Sequence, residues 1–365
     1  MLRAIAIFLV ILRHTRVYPG GNAVLTAITA FLSRGGWVGV DLFFVLSGFL
    51  ISGLLFKEFT RFKTISFKRF FVRRGFKIYP PYYAMAFMTL SAVMIHDGNA
   101  NALKEAIPWL IYLQDYIYTP IGFIWGHLWS LAIEEQFYLF LPLLLIFLAK
   151  AQPLKDNPFK SIPVIFVLIG GFCLVARIFN AEAIRYNGMI HFAPFHVRVD
   201  SLFFGVFISY IYHYYPARLR ETAKRFRYGL LGMGAALFIP AFLFQLEKTP
   251  FIYSIGFTLF YIGGGLILMA VLEDEPNAGL WARALSYAGS RSYSIYLWHF
   301  PISWLVYDSP VGQALHFNWF YATAIYWMAS VAFGIFVSNL VEIPALSLRD
   351  RWYPSRSGRL GARLS

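Results

Sequence analysis

Cysteine is all but missing. Cys173 is the single thiol in 365 residues and lies in the apolar run 164–175. That excludes an internal disulfide and any cysteine-based metal cluster, and it suits a small packing residue. Charge is scarce too: 14% of residues are charged, with 18 Asp and Glu against 32 Lys and Arg. No internal repeat, low-complexity block or soluble domain is visible, and no soluble appended domain is expected. What is present is apolar and aromatic surface, with 59% hydrophobic residues including 38 Phe, 23 Tyr and 10 Trp. No soluble core needs that much, so the chain is expected to be an all-α polytopic membrane protein.

Ten apolar stretches read as transmembrane helices: 2–18, 37–56, 78–95, 128–148, 162–178, 202–215, 228–246, 252–272, 287–306 and 319–341. The first is read as a retained helix rather than a secretory signal. Arg13, His14 and Arg16 follow its apolar run directly, without a clean small-residue cleavage site. Residues 106–118 are apolar but short and carry Gln114 and Asp115, which predicts a re-entrant or interfacial segment. A membrane domain at 1–343 is expected to be followed by a basic, disordered cytoplasmic tail at 344–365.

The net charge of +14 first suggests nucleic acid, but its placement does not. Connections 57–77, 150–160 and 218–227 hold about eight, three and five Lys and Arg, and the tail about five, while alternate connections hold about one or two. This positive-inside pattern puts both termini in the cytoplasm and the chain in the plasma (inner) membrane. Glu273, Asp274 and Glu275 run against it, but acids count little in the rule.

Arg3 and His14 are eleven residues apart, about three helical turns and about 16 Å, so they share a face of the first helix. Ionisable groups inside a membrane segment are costly and by default face a bundle interior or polar cavity. With the N-terminus inside, Arg3, Arg73, Arg74 and Lys77 fall at a cationic inner end. His14, Asp41, His127, Glu134, Glu135, Arg198 and Asp200 fall at the outer end or in the outer half. The division suits an anionic donor from inside and chemistry on a hydroxylated acceptor outside. Each cluster also has a duller explanation. His127, Ser130 and Glu134 share a helix face and serve equally as interhelical hydrogen-bonding groups. Arg73 and Arg74 suit topology and anionic lipid, and Gly48 with Ser52 suits close helix packing. His299, in an aromatic run, suits packing or function alike. His14 suits a structural bond to a carbonyl, a general base or an acyl carrier.

Several blocks together resemble integral-membrane acyltransferase family 3, the O-acetyltransferase-like proteins. They are Leu2-Arg3-Ala4-Ile5-Ala6 with His14 at the Arg-ten-His spacing, the run from Gly39 to Ile51, Arg73-Arg74 leading to Ile78-Tyr79-Pro80, the run from His127 to Tyr138, Arg198-Val199-Asp200, and Ser294 to Pro301. The resemblance implies a ten-helix core and transfer of an acyl group, commonly acetyl, from cytoplasmic acyl-coenzyme A to a carbohydrate hydroxyl at or beyond the outer face. It implies His14 as base or acyl carrier and Arg3, Arg73 and Arg74 as contacts of the coenzyme A donor. Asp41, Glu134, Glu135 and Arg198 would orient His14 or the acceptor. Acceptor contacts are expected from His127, Trp129, Arg198, Asp200 and His299, with no metal and no nucleic acid. Outer loops 97–125 and 180–197 carry the Tyr, Trp, His and Asn content that suits a sugar. Family members usually have residues before the first Leu-Arg, and many carry an appended hydrolase-like domain. The abrupt start at Met1-Leu2-Arg3 points to a true start further upstream, and with no appended domain expected, the membrane domain or a partner would complete the chemistry. The competing class is a transporter or flippase of a glycan or lipid-linked precursor, against which stands the lack of a repeat or of paired broken helices.

Overall fold

The computed structural model describes residues 1–98, 101–152, 157–272 and 279–354, and no strand occurs among them. The principal helices are α1 (Leu2–Arg13), α2 (Ala23–Gly35), α3 (Val38–Phe62), α4 (Phe67–Asp97), α5 (Ala102–Leu110), α6 (Trp129–Ala151) and α7 (Ile162–Ala183). They continue with α8 (Val199–Tyr214), α9 (Pro216–Leu243), α10 (Phe257–Val271), α11 (Leu280–Ser290), α12 (Ser292–Tyr307), α13 (Trp319–Val337) and α14 (Ile343–Trp352). Among the described residues seven helical stretches are long and apolar enough to cross a membrane. The other three expected spans lie in α1, α8 and α12, of 12, 16 and 16 residues. At 1.5 Å per residue α1 is about 18 Å long, roughly half a bilayer.

That first helix is shorter than expected, and for a local reason. His14 adopts φ −94° and ψ 5°, and the amides of His14 and Thr15 turn back to the carbonyls of Ile11 and Leu12. The helix thus ends at Arg13, with His14 as its cap. Glycine then brings α1 against α3. A Cβ on Gly39 would strike the carbonyl oxygen of Ala6. The same device joins α3 to α8, where a Cβ on Gly48 would strike the backbone of Leu202 and one on Gly205 that of Val45. Small residues permit this backbone approach in an apolar medium. The expected packing face at Gly48 and Ser52 is present, with Ser52 Oγ donating to the Gly48 carbonyl at 2.6 Å.

Three differences from the sequence reading concern connections. Residues 57–77 are not an open basic loop, because α3 runs to Phe62 and α4 starts at Phe67, capped by Ser66. Most cations of 218–227 lie on the first turns of α9, which kinks at Phe226. Residues 23–35 form α2, capped by Asn22 Oδ1 from the Leu25 amide at 3.1 Å, where no helix is expected. Ser33, Arg34 and paired glycines break the apolar run there and hide it. The segment expected as a tail begins in α14, which packs on α4, and residues 355–365 lie outside the described residues, as do Glu273, Asp274 and Glu275.

Candidate active site

Three cavities follow one another along α3. The first, about 810 Å³, is bounded by the last turns of α3, the first turns of α4, and α14. Arg61, Arg69, Arg73, Arg74, Lys77 and Arg349 are among its lining residues, and among the described residues Glu58 is the only carboxylate there. The second, about 70 Å³, shares Ile51, Arg74 and Lys77 with the first. The third, about 460 Å³, shares Val40 and Tyr296 with the second. From Val40 to Lys57 on α3 is about 26 Å by helical rise, most of a bilayer's hydrocarbon depth.

The narrow middle cavity carries Arg3, Arg74, Lys77 and Glu134, with the hydroxyls of Ser47, Ser130 and Ser292. Arg74 donates to the Tyr138 hydroxyl, lies over its ring at 4.1 Å and is 3.8 Å from Glu134 Oε2. Tyr138 in turn donates to Glu134 and lies 2.5 Å from Ser47 Oγ. Lys77 is paired with Glu342, whose other oxygen accepts from Ser294 at 2.6 Å and Ser338 at 3.0 Å. The Arg3 side chain lines the same cavity and makes no hydrogen bond or ion pair among the described residues. Arg73 opens on the first cavity alone and is tied to α14 by Asp350 at 3.1 Å and by the Tyr353 carbonyl.

The third cavity is an aromatic chamber. His14, His127, Trp129, Trp37, Trp109 and Phe300 are part of its wall, and both loops expected to carry sugar contacts contribute, through Gln114 and Tyr118 and through Tyr186 and Asn187. His14 is in ring contact with His299 (centroids 5.2 Å apart) and Phe300 (4.8 Å). Of the segment expected as re-entrant or interfacial, residues 106–110 end α5 and the rest fold as turns. Gln114 donates to the Leu128 carbonyl at 2.9 Å, and Asp115 accepts from Gln136 at 2.9 and 3.0 Å. Burial pushes the Asp115 carboxyl up to about 6.

The expected residues do not form one cluster. Arg3 and Arg74 share the middle cavity, and Glu134 joins them rather than His14. Glu135 points away, accepting from Tyr79 at 3.2 Å. Asp41 and Arg198, fully buried, pair with each other at 2.9 Å, and the guanidinium lies 3.9 Å from the Phe257 ring centre. Asp200 pairs with Arg177 at 2.8 Å, and Arg177 also donates to the Val197 carbonyl and Thr258. None of these four lines the three cavities. Arg177, Glu342 and Tyr296 went unrecognised in the sequence. The first two carried the usable signal of a lone charge within or just beyond an apolar run, and Tyr296 carried its place in the block from Ser294 to Pro301. Among the described residues no group of three His, Cys, Asp or Glu is placed to hold a metal ion.

Comparison with known proteins agrees with the motif blocks. A family model described as an acyltransferase domain, acyltransferase 3, matches residues 1–343. Similar proteins include "Putative O-acetyltransferase SAR0937" of Staphylococcus aureus (strain MRSA252), 28% identical over 91% of this chain and 58% of that protein. "Putative peptidoglycan O-acetyltransferase YrhL" of Bacillus subtilis is 27% identical over 82% of this chain and 50% of its own length. "O-acetyltransferase OatA" of Staphylococcus aureus (strain NCTC 8325 / PS 47) is 27% identical over 79% of this chain and 49% of its own length. The chain thus spans about half the length of the curated relatives it matches. No solved structure matches it significantly. With the family model covering all but the last residues, the chain belongs to the acyltransferase 3 family.

Proposed function

We propose that the chain is a membrane O-acyltransferase, most naturally an acetyltransferase, that moves the acyl group of acyl-coenzyme A onto a hydroxyl of an envelope carbohydrate. The observation that carries this reading is the series of three cavities, cationic at one end and aromatic with His14 at the other. A coenzyme A ester divides the same way. Its phosphates suit Arg61, Arg69, Arg73 and Arg349, its thin arm suits the middle cavity beside Arg3 and Arg74, and its thioester then reaches toward Val40 and Tyr296. The chamber beyond offers aromatic faces and amide groups suited to a sugar. The charge pattern supports a basic mouth and both termini in the cytoplasm, in the plasma membrane. Peptidoglycan, which the Bacillus relative's name specifies, is one acceptor to test.

In the base reading, a neutral His14 nitrogen takes the proton of the acceptor hydroxyl as the oxygen attacks the thioester carbonyl carbon. The C–S bond then breaks and the thiolate recovers the proton from the imidazolium, leaving ester and free thiol. In the carrier reading the same nitrogen attacks the thioester carbonyl carbon first, the C–S bond breaks and the thiol leaves, and the acceptor hydroxyl then attacks the acyl carbon and displaces the imidazole, which takes the hydroxyl proton. Asp41, Arg198, Asp200 and Arg177 hold α3, α7 and α8 in register around the path. Membrane vesicles given radiolabelled acetyl-coenzyme A test the proposal. Wild type should label extracted envelope carbohydrate and His14→Ala should not, while equal incorporation refutes it. Acid quench followed by mass spectrometry of the His14 peptide separates base from carrier.

A further inference from the structure

Three imidazoles meet beside the outer chamber, and their hydrogen bonds are unequal. His299 stands between the other two, its ring centroid 5.2 Å from that of His14 and 5.1 Å from that of His127. His299 Nδ1 lies 2.6 Å from the Tyr296 carbonyl oxygen. A carbonyl only accepts, so Nδ1 carries the proton and Nε2 is an acceptor lone pair. That Nε2 is buried without a partner, and His299 is 0% exposed. His127 has made the same kind of commitment. Its Nε2 lies 3.1 Å from the Leu297 carbonyl, which fixes the proton there and leaves Nδ1 bare and without a partner. His127 therefore has no N–H to give His299. The Tyr296 hydroxyl is also taken, donating to the His127 carbonyl with Ser130 Oγ at 2.6 Å. Within the cluster, the ring N–H still free to meet His299 Nε2 belongs to His14.

Resting on the reading of His14 as base or acyl carrier, we infer that His299 is its positioning residue: His299 Nε2 accepts the N–H of His14 and so aims the second His14 nitrogen into the chamber. A centroid separation of 5.2 Å is what two imidazoles show when joined end to end by an N–H···N bond of about 3 Å. The rings are tilted by 53°, so a rotation of the His14 ring completes the bond, as catalytic contacts commonly tighten once substrate is bound. The Tyr296 carbonyl anchors His299 as an outer partner anchors a ligand. No carboxylate hydrogen-bonds to His14 among the described residues, so the orienting part expected of Asp41, Glu134 or Glu135 falls to a neutral ring. When His14 takes a proton its bond to His299 persists and the charge spreads over the pair.

Two substitutions separate this contact from mere packing. His299→Asn keeps a donor near the Tyr296 carbonyl and removes the acceptor, whereas His299→Gln places an amide oxygen near the lost Nε2. In the full chain in membrane vesicles, His299→Asn should lower kcat for acetyl transfer on the order of 10- to 100-fold with an unchanged KM for acetyl-coenzyme A, and His299→Gln should restore much of it. Carbethoxylation of His14 by diethyl pyrocarbonate, followed by mass spectrometry of its peptide, reads the same contact without any turnover. It should slow on the order of tenfold in His299→Asn and recover in His299→Gln. Unchanged labelling of His14 in His299→Asn overturns the inference, and so does equal loss of transfer in both variants. Full activity in His14→Ala would instead overturn the catalytic reading, while the labelling still decides the contact.

Discussion

The Asp41–Arg198 pair gives the sharpest energetic prediction. Both side chains are 0% exposed, the contact is 2.9 Å, and it ties α3 to the start of α8. With charge centres about 4 Å apart and an effective dielectric near 20, the attraction is about 4 kcal/mol. Arg198→Met removes the cation and leaves Asp41 buried and uncompensated, a loss of about 3–5 kcal/mol. Asp41→Leu combined with Arg198→Met removes both charges and replaces them with apolar volume, which is close to neutral for such pairs. Unfolding of wild type, both single variants and the double variant, in one detergent, closes the cycle. Asp41→Leu strands the Arg198 charge in the same way, so with the double variant near neutral the coupling energy should be about 6–10 kcal/mol, and acyl transfer should recover with stability in the double variant. A coupling below about 1 kcal/mol, the level of an exposed pair, would refute the energetic reasoning. A stable double variant without transfer would instead make Asp41 or Arg198 a substrate contact.

Three further outcomes follow from other parts of the fold. Arg74→Gln should raise KM for acetyl-coenzyme A about 10- to 100-fold, the worth of a charge-assisted contact, with kcat less affected; an unchanged KM in initial-rate assays contradicts the donor path. Asp115 titrates near 6 when folded, above its ordinary value, so the folded state holds the extra proton between about pH 4 and 6 and stability falls as pH rises through that window. Asp115→Asn should flatten that slope in thermal unfolding scans, and a slope left intact assigns it elsewhere. Gly48→Leu, with no room against Leu202, should prevent folded protein from accumulating in membranes, whereas Leu54→Ala on the exposed side of α3 should not; size-exclusion profiles of the two variants decide.

Much of the fold was legible because bilayer solvation demands long apolar runs, and those runs are visible without a structure. Legibility failed where length and polarity disagreed. The run at residues 2–12 is apolar, but His14 turns the chain and α1 stops at half depth, while α2 is helical despite its polar and glycine positions. The site divided likewise. Helix spacing put Arg3 and His14 on one face, and they do open onto successive cavities. Spacing along one helix could not say which side chain of another helix each charge meets. Glu134 therefore joined Arg74 rather than His14, Asp41 found Arg198, and His299 came to His14 from a helix nearly three hundred residues away.

The central claim is that acyl groups pass from the basic mouth to the His14 chamber across the membrane. Sealed vesicles of defined orientation test it directly, with labelled acetyl-coenzyme A and carbohydrate acceptor supplied on opposite faces. Label should reach the acceptor only when the donor meets the face bearing Arg73 and Arg349, and His14→Ala should abolish it. Transfer with the donor on the other face alone, or with His14 replaced, would contradict the account.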